Sequence, residues 1–539
     1  MQNRRISRER KDATESTMIQ KRRFASLIGL LLAVTMLAAC SMATEPPAEK
    51  KDLPAKAVEG GTLTIVRMSD AGNLDPHFIS TINAASVVHQ KVYEGLVRRD
   101  ANMVIVPQLA LSWRQISDLV WEFKLRQGVF FHDGTPFDAT AVKRTLDRVM
   151  DPKLASPRAA MFDKIKQIKI VDPYTVQFIL ERPFTPLLSI LASHEGSMIS
   201  PKAIEQYGRK LAEHPVGTGP FLFRSWEPGI QIVLDKNEQY WGDKPKIDHV
   251  IFRVVADDQK RIAMVENGEA HVAESIPVQE IDRLSASNRL HVYRSEALGT
   301  EFIGFNVAQE PLNDIRVRQA ISSAIETGAI IKGVYNNVGT QANSPLGPKV
   351  FGYSASVQNA PYDLNKAREL LAKAGYPDGF SIHMLTYDRN DRVMVAQVIR
   401  SQLKGIGIDA KMDVVSYADF VTTIEKTRTH QIFVSGWGNA TGDADYNQYN
   451  LFHTMGGGAG NSFQYSNQEL DRLLEAGRVE SDPAKRLAIY AKAQELEMQD
   501  ALLVPIRNLE NLAVISTDIQ GFSISPAGYL MLDQVSIQK

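Results

Sequence analysis

A chain of 539 residues with a single cysteine, Cys40, folds without covalent cross-links and depends on burying apolar surface. Disulfide frameworks, zinc ribbons, iron–sulfur clusters and thiol redox pairs all need more than one thiol, so they are excluded. Length permits the alternative. From residue 60 to 539 no low-complexity segment or obvious short repeat interrupts the sequence. A body of about 480 residues exceeds one hydrophobic core, which predicts at least two lobes.

Within that body, strand and helix patterns alternate. Residues 61–68 (GTLTIVRM), 250–255 (VIFRVV) and 429–435 (THQIFVS) carry the β-branched content of strands. Asp138 is placed to cap a helix with Val142, Leu146 and Val149 on one face. Another helix is predicted over 363–374, with Ala367, Leu370, Leu371 and Ala374 at helical spacing and Gly375 and Pro377 ending it. Ser466 with Glu469 reads as a capping box, and Asp482-Pro483 as a cap with proline in the first turn. The fold class is therefore α/β, repeated in more than one lobe.

Cys40 ends the run Leu37-Ala38-Ala39-Cys40, after an apolar segment (24–39) preceded by Lys21, Arg22 and Arg23. That is the layout of a secretory signal, too short to span a bilayer comfortably. Leu-Ala-Ala-Cys resembles the lipobox of bacterial lipoproteins. The resemblance implies cleavage before Cys40, lipidation of its thiol, and a stable two-chain anchor in the membrane. An ordinary cleaved signal is the other reading of this segment, and Met18 offers a second start site. No later run of eighteen apolar residues predicts a transmembrane helix. Residues 40–59, rich in Pro, Ala, Lys and Glu, read as the lipidated cysteine and a flexible tether. From Cys40 onward, 53 basic residues face 59 acidic ones, a formal charge of −6, which argues against nucleic acid as a partner.

The run WEFKLRQGVFFHDGTPFDATAVKRTLDRV at 121–149 resembles the signature of the family 5 extracellular solute-binding proteins, the peptide and nickel class of ABC-importer receptors. LDPHF (74–78), GTGPF (217–221), NEQYWGDKP (237–245), NDIRVRQAISSAI (313–325) and KARELLAKAGYPDGF (366–380) continue the resemblance in the family's order. The residues have their own logic too. Trp121, Phe123 and Leu125 alternate as a strand with one buried face, Gly128 turns the chain, and Asp133-Gly134 makes a tight turn. His132 reads as a turn histidine, because no second histidine stands at i+4 and no HExxH occurs. Gly217-Thr218-Gly219-Pro220 reads as a sharp bend between lobes and lacks the Lys-Ser/Thr ending of a phosphate loop.

The resemblance implies a two-lobed periplasmic-binding-protein-like fold of type II, with an extra subdomain in the larger lobe. Lobe I would combine residues 60–103, 215–300 and 513–539, with the subdomain at 104–214, and lobe II would be 301–512, after a signal peptide at 1–39. Chain crossings are expected near 299–305 and 511–515. A monomer is expected. Its partners would be a peptide-like small solute, an ABC permease with its ATPase, and the membrane through the lipid anchor. No cofactor and no metal site are expected.

Ligand chemistry is expected in GWGNATGDADYNQYNLF, 436–452, a loop at the carboxyl end of an apolar strand. Trp437 can supply a flat apolar wall, and Asp443 and Asp445 can accept ammonium donors. The alternative is that Asp445 caps a helix beginning at Tyr446 while Asp443 closes a turn. The glycine run 456–460 reads as a loop rather than an anion nest. In dipeptide-binding relatives the loop resembles GWTGDNGDPD, whose fifth residue is an aspartate that pairs with the ligand's α-ammonium. Here that position is Ala440. The Thr-Gly-Asp-Ala-Asp version resembles the glutathione-binding branch. For a ligand carboxylate the candidates are Arg389 and Arg392 in YDRNDRVMV, with solvent-facing arginines as the alternative. Asn306, Asn83 and Ser86 are further cleft candidates.

No GxSxG, HExxH, Walker A or complete GxGxxG pattern is present, so a lipoprotein hydrolase has no motif behind it. A membrane-coupled sensor is a further class. Within the transport class, a haem or nickel-chelate receptor is the alternative to a peptide receptor.

Overall fold

The computed structural model describes residues 57–58, 60–456 and 461–538. Cys40, the leader, most of the tether and residues 457–460 lie outside the described residues, and so do the readings placed on them.

Two strands of unusual length form the spine. Leu290–Phe305 has 16 residues and Leu503–Ser516 has 14, and they pair antiparallel. At about 3.3 Å per residue such strands run roughly 50 Å, enough to belong to two lobes at once. Around residues 290–296 and 510–516 the sheet continues through Val272–Glu274, Thr62–Arg67, His249–Val254, Gln231–Lys236 and Phe221–Glu227. Around 300–305 and 503–508 it continues through Ile432–Trp437, Phe380–Tyr387 and Ile408–Val415. Pairing slips between the halves: Glu296 faces Glu510 and Thr300 faces Asn508, leaving residues 297–299 against Leu509 alone. The change on the returning strand therefore falls at 508–510, just before the expected 511–515, where the chain is already laddered to Tyr293, Arg294 and Ser295.

Alternation decides what each strand buries. Leu63 and Ile65 point into one apolar cluster and Val66 into another on the opposite face. In the second lobe, Ile432 and Val434 face one cluster and Phe433 the other. The predicted strand at 429–435 starts later than expected, at Ile432. Its preceding residues are held by side chains instead, since the Asn306 amide donates to the carbonyls of Arg428 (3.1 Å) and His430 (3.0 Å).

A separate antiparallel sheet forms the subdomain, from Ala110–Ser117, Val120–Leu125, Thr175–Leu180 and Ile165–Asp172. Trp121, Phe123 and Leu125 are buried as alternation predicts, and Phe123 meets Phe178 edge-on at 5.0 Å. Across the sheet lies the helix Ala139–Met150, capped by Asp138, with Val142, Leu146 and Val149 fully buried. Arg148 on that helix reaches Asp75 at 2.6 Å, both side chains buried, so the Leu-Asp-Pro-His-Phe motif fastens the subdomain to the first lobe.

The cap at Asp482 forms as predicted, and the helix expected over 363–374 runs Leu364–Lys373 with Asp363 as its cap. At the helix Gln468–Val479 the cap is Asn467 rather than Ser466, because the Asn467 side-chain oxygen Oδ1 accepts from the amides of Glu469 and Leu470. Gly217 and Gly219 are required for a different reason from the bend proposed. Neither has positive φ; a Cβ on them would meet the carbonyl oxygens of Val92 and Lys91 at 2.0 and 2.2 Å. Close backbone approach within the first lobe, not a turn between lobes, selects glycine there. His132 sits in the same contact, its amide donating to Gly217 O and its Nε2 2.9 Å from Gly219 O.

Candidate ligand-binding site

Where the crossing strands slip, a cavity of about 520 Å³ opens between the lobes. One wall comes from residues 80–82 and 526–528 and from Arg158, His194 and Glu195. The facing wall is built by Tyr417, by residues 436–440 at the end of the strand Ile432–Trp437, and by Tyr446. An adjoining cavity of about 490 Å³ shares Arg158, Trp437 and Tyr446 and extends past Lys164, Arg182, Asp445 and Arg478. Both volumes fall within the range of small-molecule sites.

Trp437 lines both spaces, its ring 6.3 Å from that of Tyr446, and its buried Nε1 has no hydrogen-bond partner. Ala440 also faces the first cavity. The strand end therefore does deliver its loop to the cleft, as the α/β rule predicts.

The two aspartates are engaged within the protein. Asp443 caps the helix Ala444–Phe452 by accepting from the Asp445 amide, so the capping residue is Asp443 and not Asp445. Its carboxylate also receives both arms of Arg486 at 2.7 Å and the Ser189 hydroxyl at 3.2 Å. Burial favours its neutral form, but Arg486 outweighs this and holds the carboxyl below the ordinary range. Asp445 borders the second cavity and pairs with Arg478 at 2.8 Å; burial nonetheless holds it above the ordinary range. Arg478 in turn lies 3.6 Å over the Tyr449 ring.

The expected arginines do not converge on the cavity. Arg389 is half exposed, pairs with Asp391 at 2.6 Å and borders neither space. Arg392 is buried against Glu301 at 2.6 Å, and Glu301 also holds Arg507 at 2.7 Å. Burial alone would raise Glu301, but these two guanidiniums keep its carboxyl low. Asn306 is fully buried and bonded to backbone, so it belongs to the fold rather than the cleft. Asn83 donates to Ser69 and accepts Arg67, while the buried Ser86 hydroxyl accepts the Leu530 amide. These two pin the cavity's edge at residues 80–82 and 526–528 without lining it.

Sequence reasoning missed Arg158, His194, Glu195 and Tyr446. A signal was available at 193–197, where Ser-His-Glu-Gly-Ser interrupts the apolar stretch 187–199. A histidine and a carboxylate inside such a run end up buried and need a reason.

Across the cleft the lobes already touch. Arg99 Nε donates to Thr441 O at 2.9 Å, and the Thr185 amide and hydroxyl donate to Arg478 O (2.8 Å) and Glu480 O (2.9 Å). The two lobes are closed over the cavity. Among the described residues no group of three or more His, Cys, Asp or Glu is placed to hold a metal ion, and no helix is long and apolar enough to cross a membrane.

Two lobes closing on a cleft is an architecture with many users, and the sequence comparison decides among them. Residues 104–459 match the model of the bacterial extracellular solute-binding proteins, family 5 middle region. The chain belongs to this family. Among curated family 5 proteins, the glutathione-binding protein GsiB of Salmonella paratyphi A is 32% identical over 87% of this chain and 93% of its own. The solved structure of HbpA2 from Haemophilus parasuis matches with a TM-score of 0.81 at 27% identity, covering 89% of this chain and all of the other. DppA of Helicobacter pylori, an ABC transporter-associated periplasmic binding protein in complex with the peptide STSA, matches with a TM-score of 0.77 at 28% identity, over 89% and 99%. The fold is thus the two-lobed type II arrangement of family 5, and GsiB and DppA are named as binding proteins.

Proposed function

We propose that this family 5 protein is the membrane-tethered receptor of an ABC importer, capturing a peptide-like solute, glutathione in particular, and delivering it to the permease. One observation carries the ligand reading: the cavity position at which dipeptide-binding relatives resemble one another in having an aspartate is Ala440. Burying a free peptide amino terminus against alanine would leave an ammonium unpaired, at a cost of several kcal/mol. Glutathione's γ-linkage moves its ammonium away from the first peptide bond, and the similarity to GsiB points the same way.

Binding energy comes from enclosing the solute between Trp437 and Tyr446 on one side and the first lobe and subdomain on the other, plus a few charge-assisted hydrogen bonds. Rotation about the slip at 297–299 and 508–510 opens and closes the cleft. The protein itself turns nothing over. Cys40 carries the lipid, and the tether is shorter than the 41–59 read from composition, ending before Ala57 and Val58, which pair with Gln538 and Ile537.

Thermal melting of the full chain in detergent tests this, with reduced and oxidised glutathione, di- and tripeptides, nickel chelates and haem as ligands. A ligand at 100 times its Kd stabilises by about 2.7 kcal/mol. A shift with glutathione and none with ordinary dipeptides is expected. A dipeptide shift returns the chain to the general peptide group, and a shift with haem or a nickel chelate replaces the reading. Loss of lipid labelling and of membrane recovery in C40S tests the anchor.

A further inference from the structure

Glu195 is a buried acid of the cleft whose charge the protein's own contacts leave without a donor. Its side chain is 1% exposed and borders the cavity, yet Oε2 has no hydrogen-bond partner. The nearest guanidinium nitrogen, Arg158 Nε, is 3.9 Å away and already donates to Ile79 O at 2.9 Å. His194 Nδ1 is 3.2 Å from Oε2, but burial lowers the pKa of that imidazole, so it brings no compensating charge; the same nitrogen meets the Tyr529 hydroxyl at 3.1 Å. Two other buried carboxylates show the contrast: Glu94 has four side-chain partners and Asp443 is held by Arg486 and Ser189. A buried carboxylate facing a cavity without donors costs stability unless something arrives to donate.

We propose that Glu195 and Arg158 together form a receptor for a zwitterionic α-amino-acid head group, with the ligand's ammonium on Glu195 and its neighbouring carboxylate on Arg158. This rests on the glutathione reading and deepens it. A γ-glutamyl peptide keeps the ammonium and the carboxylate free on one carbon. An α-linked peptide spends that carboxyl group in its first peptide bond and offers only the ammonium. Glu195 and Arg158, adjacent and opposite in charge, complement the first arrangement and not the second. Both belong to the subdomain side of the cleft, opposite Ala440, so the acceptor is displaced to the other wall rather than lost. Lys164 and Arg182 border the adjoining cavity, where they supply cations for the ligand's distal carboxylate.

The test is calorimetric titration of the full chain in detergent with γ-Glu-Cys-Gly, its α-linked isomer, and γ-Glu-Cys-Gly acetylated on its α-nitrogen. The wild type is expected to bind the γ-linked peptide at least tenfold more tightly than the other two. Glu195→Gln, nearly isosteric, is expected to weaken the γ-linked peptide at least tenfold and leave the acetylated one unchanged. Arg158→Gln, on the more exposed member of the pair, provides a second readout should the first variant fold poorly, and is expected to erase the preference for γ over α linkage. Wild-type binding of both isomers with equal affinity overturns the head-group proposal while leaving a peptide receptor. Wild-type binding of none of the three overturns both. Unchanged affinity for the γ-linked peptide in a folded Glu195→Gln protein, or an unchanged isomer preference in Arg158→Gln, overturns the assignment.

Discussion

Asp443 and Arg486 face each other in a buried fork, Nη1 and Nη2 each 2.7 Å from a separate carboxylate oxygen, with side chains 3% and 5% exposed. A carboxylate so occupied serves the fold of the second lobe, holding the start of one helix to the body of another 43 residues away.

Asp443→Asn isolates that pair, because asparagine still caps the helix as well as aspartate does. The guanidinium left behind is buried and uncompensated, so stability falls by about 3–5 kcal/mol. Urea denaturation of the ligand-free protein measures it. A loss below about 1 kcal/mol, the scale of an exposed pair, contradicts the buried role.

Ala440→Asp places a carboxylate at the cavity edge. Affinity for α-linked dipeptides is expected to rise about tenfold, equivalent to about 1.4 kcal/mol. Competition binding against a labelled dipeptide reads the change, and an unaltered dipeptide affinity argues that ammonium groups do not reach this wall.

Arg99 bonds to Thr441 across the cleft, a contact that needs the lobes together, while its 2.9 Å bond to Ser189 stays on its own side. Arg99→Met removes them without altering the cavity lining, so ligand affinity is expected to drop about tenfold through a shifted open–closed balance. Small-angle scattering across a ligand titration should find the variant more extended than the wild type at intermediate ligand concentrations. Identical titration curves contradict a closure role.

His132 is held to a pKa of about 4, down from 6.5, chiefly by burial, with its bond to Gly219 O and the charge of Asp133 acting the other way. Its unfolded form takes a proton near pH 6.5 and its folded form only near 4. Between those values the unfolded chain binds more protons, so stability falls as pH drops, by about 1.4 kcal/mol per unit from this group. His77, lowered to about 3, adds a slope of the same sign. His132→Gln is expected to flatten stability against pH between 6.5 and 4; an unchanged slope contradicts the burial argument.

What the sequence made legible was local. Asp138, Asp363 and Asp482 cap by touching amides two or three residues onward, and the alternation of Trp121, Phe123 and Leu125 needs no distant partner. Trp437 and Ala440 were placed at the cleft because a strand end dictates where its loop emerges. The ion pairs of Asp443 and Asp445 were not legible, because Arg486 and Arg478 lie more than thirty residues away and nothing within the loop announces them. Gly217 and Gly219 were misread for the same reason: the carbonyls of Lys91 and Val92 that exclude a side chain are over a hundred residues earlier. Glu195 stands out locally as an acid inside the apolar stretch 187–199, but nothing there says whether the buried carboxylate meets a donor.

The cavity has no owner among the parts that enclose it. Arg158 and Glu195 travel with one body, Trp437 and Tyr446 with the other, and the slip in the paired strands, with the cross-cleft bonds of Arg99 and Thr185, keeps them facing. Prising the halves apart therefore dissolves the pocket as an object instead of opening a door in it. Cargo held this way is surrendered in one motion, with no competitor and no chemical change needed to evict it.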